Sequence, residues 1–322
     1  MPDISSFEKI VLTGATGFIG RHLVDALIQA GCQPVLLERS HKENSFLSGL
    51  GDQVRVVQAD LKNNDQIGSV LSQESPDIIF HLAGTRGRNR ISAALECAEL
   101  NIGATVRLLE AAAHAEVQRI VIVGSADEYG DQSGRLHEEL PLRPASLYGI
   151  SKAAATRFAQ AMHNSNGCPV IIVRPFSVYG PGQPRDMFVA EAVDSAVRNV
   201  AFSMSNGEQR RDLIFVDDVV RGLIAAACAK NAEGQVVNLG TGQAHRLRDV
   251  AERIWEITGT RASLLIGARP SPAEELYDTW ADITLARRLF EWEPIVDLES
   301  GLERTIQFAR EQSVRTQQCQ AM

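Results

Sequence analysis

The chain has few of the features that mark disulfide-rich, metal-binding or membrane-spanning proteins. It contains five cysteines in 322 residues, each standing alone and none in a CxxC pair. An odd number of isolated cysteines predicts neither a disulfide framework nor a zinc site, so we expect no metal. No apolar run approaches the ~20 residues that cross a bilayer, and the acidic N-terminal segment does not resemble a signal peptide. We therefore expect no membrane association and a cytoplasmic protein.

A surplus of positive charge is also missing. The 32 basic residues are outnumbered by 40 acidic ones, which gives a formal net charge of −8. Proteins that bind the phosphate backbone of nucleic acids normally carry clustered basic residues, so we expect no nucleic-acid partner. The chain is 44% hydrophobic and 22% charged, as is typical of a folded globular protein. Its length favours a large domain with a smaller dependent lobe.

Short β-rich apolar runs alternate with longer helical patterns over the first half of the chain. This alternation is typical of repeated βαβ units, and six such strands predict a doubly wound, Rossmann-like parallel sheet. A further strand at 236–239 is expected to return to the sheet. The predicted strands are 9–12, 34–37, 54–58, 78–82, 119–123 and 170–174, and the predicted helices lie near 18–30, 64–74, 92–114, 146–164, 187–198 and 218–229.

The alternation of predicted strands and helices ends after Pro175, where prolines and glycines form a loop-rich stretch. We expect the chain to leave the sheet here and to build a smaller mixed α/β lobe that binds the substrate. The predicted division is therefore discontinuous, with residues 1–175 plus 212–240 in the dinucleotide-binding domain and residues 176–211 plus 241–322 in the second lobe.

A glycine-rich loop follows the first predicted strand and opens the first helix, in the run GATGFIG at 14–20. Gly14 permits a tight turn, Gly17 lets backbone amides approach a pyrophosphate, and Gly20 lets the helix pack closely on the sheet. The N-terminus of the helix adds a favourable dipole for phosphate groups. The spacing is GxxGxxG, and its position between strand and helix predicts dinucleotide binding.

Three charged residues at the ends of the next strands bear on the choice of cofactor. Glu38 ends the second strand, where a carboxylate can accept hydrogen bonds from the adenosine ribose and favour NAD. Arg39 follows directly and can pair with the extra phosphate of NADP, so both cofactors stay open, with NAD slightly favoured. Asp60, after the third strand, is well placed to touch the adenine.

A tyrosine and a lysine stand four residues apart at 148 and 152, so on a helix they share one face. Lowering the pKa of a tyrosine from ~10 to ~7 takes about 4 kcal/mol of phenolate stabilisation, which a nearby ammonium and a positive cofactor ring can supply. We expect Tyr148 to accept a proton from a substrate hydroxyl. Ser125 ends the fifth strand and is expected to orient the same oxygen.

The chain resembles the extended short-chain dehydrogenase/reductases, a family of nucleotide-sugar epimerases, dehydratases and reductases, over residues 9–310. The resemblance rests on the glycine loop, HLAG at 81–84, Asn101, GSADEYG at 124–130, YGISK at 148–152, RPFSVYGPGQ at 174–183 and RRDLIFVDDV at 210–219.

The resemblance implies a role for each matching residue. Ser125, Tyr148 and Lys152 would form the catalytic triad, and Lys152 would also bind the nicotinamide ribose. Arg211 and Arg269 would hold the diphosphate of a nucleotide sugar, while Ser177 replaces an asparagine that many relatives carry near the pyranose. The remaining cofactor contacts are expected from Thr16, Phe18, Ile19, Leu61, Leu82, Ala83, Gly84 and Pro175.

Several reactions remain open on this pattern. GSADEYG and GPGQPRDMFV favour reduction of a nucleotide-linked 4-keto-6-deoxyhexose, with 4-epimerisation of a nucleotide hexose as the alternative. Asp127 occupies the position of an acid found in 4,6-dehydratases. Glu128 is shifted one place towards Tyr129 and Ala126 stands before Asp127, so the dehydratase pattern is only half met. A non-catalytic protein that senses NAD(P) is a further alternative.

The family also implies a homodimer. The helices near 92–114 and 146–164 are rich in alanine, which permits close helix–helix approach. The same alanines, among them Ala153, Ala155 and Ala159, can instead pack against the sheet within one chain.

Overall fold

The computed structural model describes residues 3–40, 44–87, 93–270 and 278–320. Its strands are β1 Ile10–Thr13, β2 Val35–Glu38, β3 Arg55–Gln58, β4 Ile78–His81, β5 Arg119–Val123, β6 Gly134–Leu136, β7 Val170–Pro175, β8 Ser177–Tyr179, β9 Phe202–Met204, β10 Arg210–Arg211, β11 Leu213–Phe215, β12 Val236–Leu239, β13 His245–Arg246, β14 Leu264–Ile266 and β15 Thr279–Ala281. Its α-helices are α1 Phe18–Gln29, α2 Ser45–Leu50, α3 Asn64–Glu74, α4 Ala93–Glu96, α5 Ala104–His114, α6 Leu147–Asn166, α7 Phe188–Val197, α8 Val216–Cys228, α9 Leu247–Thr258, α10 Thr284–Phe290 and α11 Leu298–Gln320.

Seven parallel strands form the main sheet in the order β12-β7-β5-β4-β1-β2-β3. The order reverses between β1 and β4, and this reversal creates the crevice in which doubly wound sheets bind ligands. The predicted fold class is confirmed, and strand 236–239 does return to the sheet beside β7.

The sheet is covered on both faces because its central strands are apolar on both sides. On one face, Leu23 and Leu27 of α1 and Leu223 of α8 pack into a single buried cluster. On the other face, Leu71 of α3 and Leu108 of α5 belong to a second cluster. The two clusters cover the faces of the sheet. Because all its strands are parallel, their carboxyl ends, where the predicted site residues lie, share one uncovered edge.

A third cluster holds the second lobe together and is built on α7, α9 and α11. Small sheets accompany it: β8 pairs with β11, β9 pairs with β14, and β6, β15, β10 and β13 form a four-stranded sheet. Strand β6 falls in the first domain of the predicted division, yet it pairs with β15 near the C-terminus. We keep the discontinuous two-domain division as a proposal, with β6 as the segment that joins the two parts.

Two buried aspartates in the segment RRDLIFVDDV hold distant parts of the chain. The carboxylate of Asp212 accepts hydrogen bonds from the backbone amides of Thr241 (2.7 Å) and Ala281 (3.0 Å). Asp218, fully buried, accepts the backbone amide of Val296 at 2.9 Å. These acids fasten the C-terminal segments onto the sheet and thereby fix the position of Arg211. In the part of the chain that the structure describes, no helix combines the length and the apolar character needed to span a membrane.

Candidate active site

A cleft of about 400 Å³ opens at the carboxyl edge of the main sheet, between the glycine-rich loop and the second lobe. The structure brings most of the predicted site residues together there. Those that line the cleft are Gly14, Gly17, Phe18, Ile19, Gly20, Leu82, Gly84, Ser125, Asp127, Tyr148, Lys152, Pro175, Ser177 and Arg211.

The glycine-rich loop requires glycine at two of its positions. Gly14 has φ +75°, and a Cβ atom there would lie 2.6 Å from the backbone nitrogen of Ala83. A Cβ atom on Gly20 would lie 2.1 Å from the carbonyl oxygen of Gly14. Helix α1 begins at Phe18 after Gly17, which provides no side-chain cap for the first amides. The turn therefore presents helix N-terminal donors to the cleft, as pyrophosphate binding requires.

Glu38 has the unsatisfied acceptor expected of a ribose-binding carboxylate. Its side chain is half-buried beside Thr16, and among the described residues its buried Oε1 atom has no hydrogen-bond partner. Burial raises the pKa of Glu38, while the neighbouring Thr16 opposes that rise. A buried acceptor without a donor is costly, and a ribose hydroxyl would satisfy it. The loop and Glu38 thus fit a dinucleotide, whereas Arg39 is exposed.

Asp60, Leu61 and Ala83 lie at the same edge of the sheet but outside the cleft lining. One carboxylate oxygen of Asp60 accepts the amide of Lys62 at 3.0 Å, Leu61 is buried, and the amide of Ala83 donates to Oγ1 of Thr13 at 3.3 Å. These contacts shape the edge, and a role in cofactor binding stays a prediction.

Arg269 is not brought to the cleft. Its guanidinium pairs with the carboxylate of Glu191 on α7 at 2.9 Å and lies above the ring of Phe202, with Cζ 5.9 Å from the ring centroid. The prediction that it binds the diphosphate placed it in the site from its position in the sequence alone. The structure instead gives it a surface ion pair, because α7 presents an acid beside it.

The three predicted catalytic residues meet at the floor of the cleft. Tyr148 lies in the first turn of α6, which Ser146 caps by accepting the amide of Gly149 at 3.0 Å. Ser125 lies close enough to the Tyr148 phenol to lower its pKa. One turn along α6, Nζ of Lys152 donates to the carbonyl of Val123 at 2.7 Å and lies 6.0 Å from the centroid of the Tyr148 ring.

The pKa of Tyr148 does not move as the sequence led us to expect. Burial, followed by the negative charge of Asp127, raises the pKa of Tyr148 to about 12, against the opposing effects of Arg86 and the nearby Ser125 hydroxyl. The ammonium of Lys152 donates a hydrogen bond to the Val123 carbonyl. Burial also lowers the pKa of Lys152 to about 8. The protein's own groups therefore favour a neutral tyrosine.

Asp127 is partly buried and Glu128 is fully buried, next to Ser125. Asp127 lines the cleft; burial raises its pKa, and the nearby charges of Arg86 and Arg211 oppose the rise. Glu128 is fully buried, with Oε1 accepting the Ser125 amide at 2.9 Å and Oε2 accepting Nη2 of Arg174 at 2.8 Å. Glu128 thus fixes the backbone of Ser125, and the S-x-x-E spacing of this capping box was the sequence signal that could have identified it.

Asn101 joins two parts of the site. It lies in a π-helical segment, Cys97–Gly103, between α4 and α5. Its side chain accepts the Thr85 amide and donates to both the Thr85 carbonyl and Oγ of Ser151, each at 2.8 Å. Ser151 in turn donates to the Tyr148 carbonyl at 2.8 Å. Such π segments occur frequently at functional sites, and this one ties the loop after β4 to the catalytic turn of α6.

Arg86 is a charged residue of the cleft lining that the sequence analysis did not identify. It lies two residues beyond the HLAG segment, with its Cζ atom 5.5 Å from the centroid of the Tyr148 ring. No motif marked it, because only the fold brings the loop after β4 over the start of α6.

The fold and the site define a Rossmann-type enzyme that binds a nicotinamide dinucleotide and carries a serine, tyrosine and lysine triad. Comparison with known proteins agrees. Residues 10–240 match the model of the NAD dependent epimerase/dehydratase family. The chain belongs to this family, and it is an enzyme of the extended short-chain dehydrogenase/reductase type.

Similar proteins extend this result over nearly the whole chain. An uncharacterized UDP-glucose epimerase of Bacillus subtilis (strain 168) is 30% identical over 93% of this chain and 97% of its own. The UDP-glucose 4-epimerase of Mycolicibacterium smegmatis is 31% identical over 95% of this chain and 99% of its own. The crystal structure of UDP-glucuronic acid 4-epimerase from Bacillus cereus, in complex with UDP-glucuronic acid and NAD, has a TM-score of 0.85 at 28% identity, covering 94% and 99% of the two chains.

Proposed function

We propose that this enzyme is an NAD-dependent 4-epimerase of a UDP-linked hexose. The observation that carries the proposal is that Ser125, Tyr148 and Lys152 line one cleft together with the glycine-rich loop. The similar proteins named as UDP-sugar 4-epimerases support epimerisation over our expectation of a 4-keto-6-deoxyhexose reductase.

The roles of the residues follow from their positions. The glycine-rich loop and Glu38 would hold NAD, which would supply reversible hydride transfer at C4 of the sugar and a positive ring that favours the phenolate of Tyr148. Tyr148 accepts the proton of the C4 hydroxyl as the hydride leaves, and gives it back after the 4-keto sugar has turned its other face. Ser125 holds the same oxygen by a hydrogen bond. Lys152, whose ammonium is within one helical turn, binds the nicotinamide ribose.

The test is interconversion of C4 epimers without added cofactor. UDP-glucose and UDP-glucuronate are incubated separately with purified protein, and the products are identified by NMR. Formation of the C4 epimer supports the proposal, together with stoichiometric NAD released on denaturation and identified by mass spectrometry. Oxidation of added NADH or NADPH by a nucleotide 4-keto sugar, without epimer formation, would establish the reductase in its place.

Glu38 supports NAD as the cofactor rather than NADP. Replacing Glu38 with Ala should weaken NAD binding about tenfold, because a charge-assisted hydrogen bond to ribose contributes about 1.5 kcal/mol. Titration of the protein with NAD and NADP measures the change. The neighbouring variant Arg39→Ala is the matched control and should leave NAD affinity unchanged. A large loss of NADP affinity in Arg39→Ala, with no effect of Glu38→Ala on NAD, would assign NADP to the site.

Arg211 and Ser177 are the substrate contacts that we retain. Both line the cleft, and a guanidinium suits a diphosphate because it can donate two parallel hydrogen bonds. Arg269 would have to leave Glu191 to take part.

Asp127 favours a second candidate, 4,6-dehydration. It is a partly buried carboxyl in the cleft, and its negative charge raises the pKa of Tyr148. A carboxyl with a raised pKa is suited to proton transfer at a neighbouring sugar carbon. Formation of a 4-keto-6-deoxy sugar from a UDP-hexose would identify this reaction, and Asp127→Asn should then abolish it.

We also propose a homodimer formed through α6. Ala153, Ala155 and Ala159 are buried within the chain, so they do not supply the surface. Leu147, Ile150 and Phe158 are instead about half exposed on one side of the helix, where a second copy would cover them. Phe158→Glu should yield monomers in light scattering, whereas Leu265→Glu, at an exposed residue of the second lobe, should not. A wild-type protein that stays monomeric at high concentration would refute the dimer.

A further inference from the structure

Arg86 and Lys152 both lie close to the ring of Tyr148. The guanidinium carbon of Arg86 lies 5.5 Å from the centroid of the Tyr148 ring, compared with 6.0 Å for Nζ of Lys152. Arg86 also contacts Sδ of Met187 across the cleft. A cation over the face of a phenol interacts favourably with the ring, and more strongly once the ring carries a negative charge.

The loop that carries Arg86 is held in place by contacts on both sides of the residue. Asn101 binds both the amide and the carbonyl of Thr85 at 2.8 Å. Gly87 has φ +52°, and a Cβ atom there would lie 2.4 Å from Sγ of Cys97, so only glycine fits so close to the π-helical segment. Because Asn101 also binds Ser151, one amide side chain sets the distance between the Arg86 loop and the turn that carries Tyr148.

The other charged groups around Tyr148 are committed elsewhere or oppose its ionisation. Asp127 and Glu128 both disfavour the phenolate, and Glu128 is itself paired with Arg174. Lys152 donates to the carbonyl of Val123, and Arg211 acts on Asp127. Arg86 is the charge that opposes Asp127 and Glu128 at the phenol itself.

We propose that Arg86 is a positioning residue whose charge stabilises the phenolate of Tyr148, a task that the sequence pattern assigns to Lys152 and the cofactor ring. The inference rests on the proposed function, in which Tyr148 accepts a proton from the sugar. It gives the loop after β4 a part in setting the pH range of the reaction.

The first test measures the pKa of Tyr148 directly. The protein saturated with NAD⁺ is titrated by ultraviolet difference absorbance of the phenolate, and subtraction of the Tyr148→Phe titration isolates Tyr148 from the other three tyrosines. Arg86→Met keeps the length of the side chain and removes its charge, and should raise the pKa of Tyr148 by about half to one unit. Arg86→Lys should restore part of the shift. Arg287→Met, which removes an exposed arginine paired with Glu293, should leave it unchanged.

The second test follows the reaction. In Arg86→Met, kcat/KM at neutral pH should fall about three- to tenfold and recover as the pH rises, because the acid limb of the pH profile follows the pKa of Tyr148. An unchanged phenolate titration would overturn the inference. So would an equal loss of kcat/KM at every pH carried by a higher KM, since Arg86 would then contact the substrate. If the wild-type protein converts no UDP-sugar, the proposed function fails, while the titration still decides the role of Arg86.

Discussion

Replacing Tyr148 with phenylalanine should lower kcat for C4 epimer interconversion by about 10²- to 10⁴-fold, the range that one general acid–base group contributes. In the proposed reaction the phenol in the cleft accepts the proton, and phenylalanine keeps the ring while removing the phenol oxygen. NAD affinity should stay within about tenfold of wild type, because one hydrogen bond to the phenol contributes only about 0.5–1.5 kcal/mol. Single-turnover kinetics with UDP-glucose, alongside cofactor titration, measures both quantities.

Tyr129→Phe is the matched control. Tyr129 is also buried, with its hydroxyl donating to Oδ1 of Asn238 at 2.8 Å, but it lies outside the cleft lining. Its loss should cost stability and leave the pH profile of the reaction in place. If Tyr148→Phe retained full activity, the enzymatic role of the triad would be wrong. An unchanged response to ligands as well would favour a non-catalytic NAD-binding protein.

Replacing Glu128 with alanine should reduce the free energy of unfolding by about 3–5 kcal/mol, the cost of removing one partner from a buried ion pair. Both side chains are nearly inaccessible to solvent, at 0% for Glu128 and 3% for Arg174. The variant would leave the guanidinium without its carboxylate and the Ser125 amide without an acceptor. Denaturant unfolding followed by circular dichroism measures the loss.

Two comparisons separate burial from charge pairing. Glu252→Ala removes the partner of Arg248 in a pair that is exposed on both sides, and should cost less than about 1 kcal/mol. The double variant Glu128→Leu/Arg174→Leu should be less destabilised than Glu128→Ala, because neither charge then remains buried alone. A Glu128→Ala variant as stable as wild type would show that the pair contributes nothing to the fold.

Much of the fold could be predicted because its determinants are local. The apolar runs that became β4, β5 and β7 are buried on both faces, so their composition alone indicated a covered parallel sheet. The small strands of the second lobe could not be predicted in the same way. Strand β6 pairs with β15 across more than a hundred residues, and β10 and β13 contain two residues each. Segments this short carry no periodicity, so only long-range contacts define them.

The site divides along the same line. The glycines of the first loop and the tyrosine–lysine pair are recognisable because their spacing reflects one turn and one helix face. Arg86 was missed because only the fold brings its loop over the start of α6, whereas Glu128 forms a local capping box with Ser125 whose S-x-x-E spacing was overlooked. Arg269 lies outside the cleft lining, and its contact with the diphosphate stays a prediction. The sequence motifs could not separate an epimerase from a reductase either, because every candidate reaction uses the same triad.

The sequence by itself thus determined the doubly wound sheet, the dinucleotide loop and the identity of the triad, since each follows from periodicity or from spacing within a single element. Only the tertiary structure decided the electrostatics of Tyr148. Asp127 and Arg86, which act on the phenol, come from two other segments of the chain, and the surrounding fold buries the ring. The free energy of a charge depends on the distances and the exclusion of water that folding creates.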